Sequence, residues 1–144
     1  MHLKNNFIEK LRNSGLRPTK QRLMICDVLF NTDKTFHFTI NDLSKIISEK
    51  TSKKISLATI YNTIHAFEKK RYLKEISINS SQTYFDTNTS NHHHFFDEKE
   101  KQLIDLDNKD LDPIKVNKNI PGKKIKSIEI LVKIDSDKQK INNL

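Results

Sequence analysis

Apolar residues in this chain fall first into helical spacing and then into alternation. Over LKNNFIEKLRNSG, Leu3, Phe7, Ile8 and Leu11 share one helical face, and Gly15 can take the left-handed conformation that ends a helix. RPTKQRLMICDVLFN puts Pro18 where a first turn is expected and sets Leu23, Ile25, Val28 and Leu29 on an apolar face. Thr39 predicts the N-cap of a third helix with Leu43, Ile46 and Ile47 inside. After the polar turn TSKKI, Ser56 predicts the cap of a fourth helix with Leu57, Ile60, Ile64 and Phe67 on its buried stripe. KEISI and QTYFD then alternate as a hairpin about the turn NSS.

Past DTNTSN the pattern becomes short strands, HHHFF, QLIDL and SIEILVKID, the last with Ile128, Ile130, Val132 and Ile134 on one face. A helix could lie near KDLDPIKV, although Pro113 and weak periodicity argue against it. The expected class is α+β: an N-terminal winged helix-turn-helix followed by a small α/β dimerisation domain. The expected boundaries are 1–85 for the DNA-binding domain, 86–91 for a hinge and 92–144 for a metal-sensing dimerisation domain. That second part is too short to bury a core alone and has strand edges to cover, so a homodimer is expected.

Composition agrees with a folded chain: 144 residues, 35% apolar and 31% charged, with a mean hydropathy of −0.69. The opening MHLKNNFIEKL lacks the apolar run of a signal peptide, and no stretch approaches the ~20 apolar residues of a membrane span. A cytoplasmic protein without a membrane partner is expected. The single cysteine, Cys26, excludes an internal disulfide and a CxxC zinc clamp, and its apolar neighbours make it a core thiol.

Charge is segregated. Residues 1–85 hold 15 Lys+Arg against 7 Asp+Glu, whereas residues 86–144 hold 11 of each, so the whole net charge of +8 lies in the first part. A domain that docks on phosphates, joined to one that does not, has this distribution. SLATIYNTIHAF suits a helix in the major groove, with Ser56, Ala58, Thr59, Tyr61, Asn62 and Thr63 opposite the core stripe. Lys53 and Lys54 precede it, and Arg17, Lys20 and Arg22 on the neighbouring helix supply further cations for phosphate. Double-stranded operator DNA is the expected partner.

In the run His92, His93, His94, strand periodicity sends His92 and His94 to one face and His93 to the other. Asp105 would lie on an adjacent strand, Asp86 ends the hairpin, and His37 precedes the third helix. Three imidazoles and two carboxylates suit a borderline divalent ion such as Fe²⁺, Mn²⁺ or Zn²⁺.

GLRPTKQR, then SLATIYNTI, then TYFDTNTSNHHH, resemble the ferric uptake regulator family in order and spacing over nearly the whole chain, weakening after about residue 107. The resemblance implies that Tyr61 and Asn62 contact bases or phosphates. Many members have Arg where this chain has Asn62, and Asn prefers adenine where Arg prefers guanine. It also implies a regulatory metal site made of His37, Asp86, His92, His94 and Asp105. The absence of CxxC pairs, with the HHHFF and YFDTN wording, is most similar to the iron response regulator branch. That branch implies haem as another signal, with His92, His93 or His94 as the axial ligand, since the chain has no Cys-Pro.

The reading is therefore a dimeric iron- or haem-responsive transcriptional regulator of iron homeostasis genes, not an enzyme. Its rivals are a peroxide sensor of the same family, a small metallohydrolase and a metal buffer that leaves the basic half unexplained.

Overall fold

The computed structural model describes residues 2–137 and divides the chain into two compact units, the first ending at Thr89 and the second beginning at Ser90. Residues 138–144, the end of the expected second domain, lie outside the described residues.

In the first unit α1 (His2–Asn13) buries Phe7 and Leu11 and leaves Leu3 exposed, and the chain reverses at Gly15 with φ +76°. The following helix, α2 (Lys20–Phe30), is capped by Thr19, whose hydroxyl accepts the Arg22 N–H at 3.3 Å. Pro18 thus precedes the cap instead of opening the first turn. Its fixed φ suits the extended approach that an N-cap requires. A two-residue strand β1 (His37–Phe38) leads to α3 (Ile40–Thr51), which begins with a capping box: Thr39 accepts from the Asp42 N–H at 3.1 Å, and Asp42 from the Thr39 N–H at 3.0 Å.

Helix α4 (Leu57–Lys69) is capped by Ser56 and buries Ile60, Ile64 and Phe67 as the periodicity predicts, but two residues depart from it. Leu57, in the first turn, is 51% exposed, and Thr63, expected on the solvent face, is fully buried. Thr63 stands three residues after Ile60, on the edge of the apolar stripe, and its hydroxyl donates to the Thr59 carbonyl at 2.8 Å, so burial leaves no unmet polar group. Ile25, Leu29, Phe38, Leu43, Ile47 and Phe67 fill the centre of this core.

Strands β2 (Lys74–Asn79) and β3 (Gln82–Asp86) form the expected hairpin, and β1 adds to β3, giving the antiparallel order β1-β3-β2. The Asn79 carboxamide closes the turn by accepting the Ser81 and Gln82 N–H groups at 2.9 and 3.0 Å. β1 is too short to display alternation in sequence; pairing with Phe85 and Asp86 makes it a strand, and Phe38 stacks on Phe85 at 5.8 Å.

The second unit is a sheet of β4 (His93–Asp97), β5 (Gln102–Leu106) and β6 (Leu131–Ile134) in the order β5-β4-β6, with β4 antiparallel to β5 and parallel to β6. Among its described residues the helix considered near KDLDPIKV is only a 3-10 turn at Asn108–Asp110. Pro113 and the scarcity of periodic apolar residues leave nothing to propagate it. The chain then runs without helix or strand to β6 and leaves Ile114, Val116, Ile120 and Ile125 exposed. No described helix is long and apolar enough to cross a membrane.

Candidate metal centre and nucleic-acid interface

Each unit carries side chains of the kind that could donate to a metal ion. In the first, sheet register makes His37 and Asp86 direct cross-strand partners, and their Nε2 and Oδ2 atoms lie 3.2 Å apart. Asp86 is buried, and its other oxygen accepts the Asn88 N–H at 2.8 Å.

In the second unit, His94 stands opposite Asp105 across β4 and β5, and His92 lies just before β4. Their rings are 4.5 Å apart, and both Nε2 atoms face the same Asp105 oxygen, at 3.3 Å from His92 and 3.5 Å from His94. Both rings are buried, while Asp105 is about half exposed. The His92 Nδ1 lies 2.8 Å from the Ser90 carbonyl, which can only accept, so Nδ1 carries the hydrogen. Nε2 faces a carboxylate that also only accepts, so the pair needs either a second proton on the ring or a metal cation between them.

A divalent ion meets that requirement for all three atoms. Donors about 2.1 Å from a metal at tetrahedral to octahedral angles stand about 3.0–3.4 Å from one another, close to the spacings found in both sets. A carbonyl fixing the far nitrogen of a ligating histidine is a common outer-shell device.

His93 differs from its neighbours: its Nδ1 accepts the Ile130 N–H at 3.1 Å, which ties the approach to β6 against β4. The sequence left its role open because its partner is 37 residues away. Haem gains no support here, since His92 and His94 share a carboxylate and His93 serves a backbone amide.

On the candidate DNA face, Arg17, Lys20, Lys53 and Lys54 are exposed, as are Tyr61, at 54%, and Asn62. Lys20, Lys53 and Lys54 line one groove of about 680 Å³ floored by Leu3, Phe7, Leu23 and Ile55. Arg22 is partly buried, and its Nη1 donates to the Arg17 carbonyl at 3.1 Å, so its guanidinium braces the turn before α2. The Ser56 hydroxyl accepts the Thr59 N–H at 3.2 Å and donates to the Thr59 hydroxyl at 2.9 Å, which commits both side chains to starting the helix. His65, which nothing in the sequence marked, packs its ring 4.2 Å from that of Tyr61. Only the i, i+4 spacing could have signalled it.

The model of the ferric uptake regulator family matches residues 13–134, and the chain belongs to that family. Among curated relatives, the peroxide-responsive repressor PerR of Staphylococcus epidermidis is 34% identical over 113 residues, covering 78% of this chain and 73% of the relative. The peroxide operon regulator of Bacillus subtilis is 30% identical over 113 residues, covering 78% and 76%. The fold is that of solved family members: the Vibrio cholerae ferric uptake regulator has a TM-score of 0.66 at 15% identity, covering 90% of this chain and 98% of that one. The Pseudomonas aeruginosa ferric uptake regulator, solved with manganese, has a TM-score of 0.64 at 16% identity, covering 91% and 98%. These relatives lend the family reading their weight but none to the iron response regulator branch.

Proposed function

We propose that the chain is a homodimeric, metal-responsive transcriptional regulator in which His37, Asp86, His92, His94 and Asp105 hold one divalent ion and Tyr61 and Asn62 read operator DNA. The convergence of the His92 and His94 Nε2 atoms on one Asp105 oxygen carries this reading. Family membership supports the DNA-binding part, as do the exposed cations and the recognition-helix face of the first unit. When bound, the ion supplies charge and a fixed coordination geometry. An ion with donors in both units would restrict how one moves against the other, and a palindromic operator accepts only certain spacings of two recognition helices.

The test measures binding of the purified protein to a duplex enriched from a random pool, with Fe²⁺, Mn²⁺ or Zn²⁺ and with chelator. A change of about 5- to 150-fold in affinity is expected for typical coupling between sites. Equal affinity under all conditions would overturn the metal-responsive reading.

Within this class the two curated relatives reported above favour peroxide sensing over an iron or haem signal, because both are peroxide-responsive repressors or regulators by name. Hydrogen peroxide added to the Fe²⁺-loaded protein should abolish the metal-dependent DNA response and leave one added oxygen on His37 or His92, seen by peptide mass spectrometry. A response that survives, with unmodified histidines, would leave iron itself as the signal. Five donors leave little room for a bound water, which speaks against a metallohydrolase.

A further inference from the structure

A chain of aromatic rings runs from the core of the first unit to the candidate DNA face. Phe38 is fully buried and stacks on Phe85 at 5.8 Å. Phe85, on β3, meets His65 edge-on, with centroids 6.3 Å apart at 81°. His65 in turn packs on Tyr61, one turn earlier on α4, at 4.2 Å and 55°. Tyr61 is the outermost ring and is exposed.

We propose that His65 is a positioning residue that holds Tyr61 in the orientation used to read a base; this rests on the reading of Tyr61 as a base contact. An exposed tyrosine samples several rotamers, and freezing it on binding costs affinity. A flat ring at i+4, itself wedged against a buried phenylalanine, removes that freedom before DNA arrives. The imidazole suits the place because one edge stays wet: His65 and Tyr61 help to line a hollow of about 540 Å³ together with Glu75, Gln82 and Thr83 of the hairpin. Tyr61 and His65, four residues apart, share the outer edge of α4, while Thr63 and Ile64 between them are buried.

The experiment uses the full chain in its metal-loaded state. The probes are a duplex enriched by the parent protein from a random pool and an unselected duplex of equal length. In the free protein, His65→Ala should shift the NMR signals of the Tyr61 ring and broaden its rotamer distribution, and His65→Phe should restore the ordered ring. On DNA, His65→Ala should weaken the enriched duplex about three- to tenfold, the scale of one aromatic contact or one frozen side chain, and leave the unselected duplex unchanged. His65→Phe should recover most of the loss. His65→Ala added to Tyr61→Ala should cost nothing further, because the effect passes through Tyr61.

Additive losses in that double variant would mean that His65 meets DNA by itself and would overturn the proposal. So would equal losses on both duplexes with a lowered Tm, which mark a purely structural ring. If Tyr61→Ala binds both duplexes as the parent does, base reading by Tyr61 fails and takes the DNA role of His65 with it. The NMR measurement on free protein distinguishes that outcome from a failure of the ring contact.

Discussion

His37 and Asp86 face each other directly across β1 and β3, with Nε2 3.2 Å from a carboxylate oxygen that is almost entirely withdrawn from water. A buried carboxylate is tolerated only with compensation, and here an imidazole and the Asn88 amide are among the groups that face it. The pair fixes the end of the hairpin strand to the segment that leads into α3. A ligand change at either residue would therefore be felt by the backbone of the DNA-binding unit.

Replacing His37 by Ala tests that link. Metal-free DNA affinity should stay close to the parent value, metal should still bind through the remaining donors with affinity reduced by about tenfold or more, and the metal-dependent change in DNA affinity should vanish. Metal titration followed by fluorescence anisotropy on a labelled duplex measures both. A variant that responds to metal like the parent would remove His37 from the sensing path.

DNA binding should be strongly electrostatic. With about 6–10 phosphates neutralised by a dimer, the plot of log affinity against log salt should have a slope near −5 to −9. Lys53→Ala or Lys54→Ala, which removes one cation from each protomer, should reduce the magnitude of that slope by about two and weaken enriched and unselected duplexes alike. A slope near zero would contradict the assignment of the first unit to DNA.

The exposed apolar residues of the second unit are expected to meet a second copy of the chain. Ile120 and Ile125, at 61% and 59% exposure, lie outside every helix and strand, so Asp at either position should leave the unit folded. Sedimentation should show the dimer shifted to monomer, because a buried unpaired carboxylate costs several kcal/mol, roughly the strength of a moderate interface. A dimer of unchanged stability would place the interface elsewhere.

Cys26 should be inert. Burial raises its thiol from the ordinary range to about 12, outweighing the opposing influence of Lys10, and no solvent reaches the side chain. Because the folded thiol ionises above the unfolded one, its contribution to stability is complete below the ordinary thiol range and declines as pH rises from there towards about 12. A thiol reagent at neutral pH should label the native protein only at the rate of unfolding. Fast labelling would show that α2 opens without global unfolding.

The helices, their caps and the hairpin were legible because each is written locally. Thr39, Ser56 and Gly15 act within one turn of their own position, and burial of Ile60, Ile64 and Phe67 follows from a period of 3.6. The alternation in HHHFF put His92 and His94 on one face, and both rings do turn to Asp105. Chemical type alone marked these residues as donors, and a family resemblance assembled them into a set.

Tertiary structure decided what depends on partners distant in sequence. β1 is a strand only because β3 lies beside it, and His93 became a backbone anchor only because Ile130 is brought to it from 37 residues away. Thr63 went inside because its hydroxyl could be satisfied by its own helix, and Leu57 stayed outside although Ile55 and Ile60 on either side of it are in the core. Likewise, His65 gained a task only when β3 placed Phe85 behind it. Periodicity and caps are set by dihedral preferences that each residue carries with it, whereas a pairing or a packed ring depends on which surface arrives opposite, and that is settled by the folding of the whole unit.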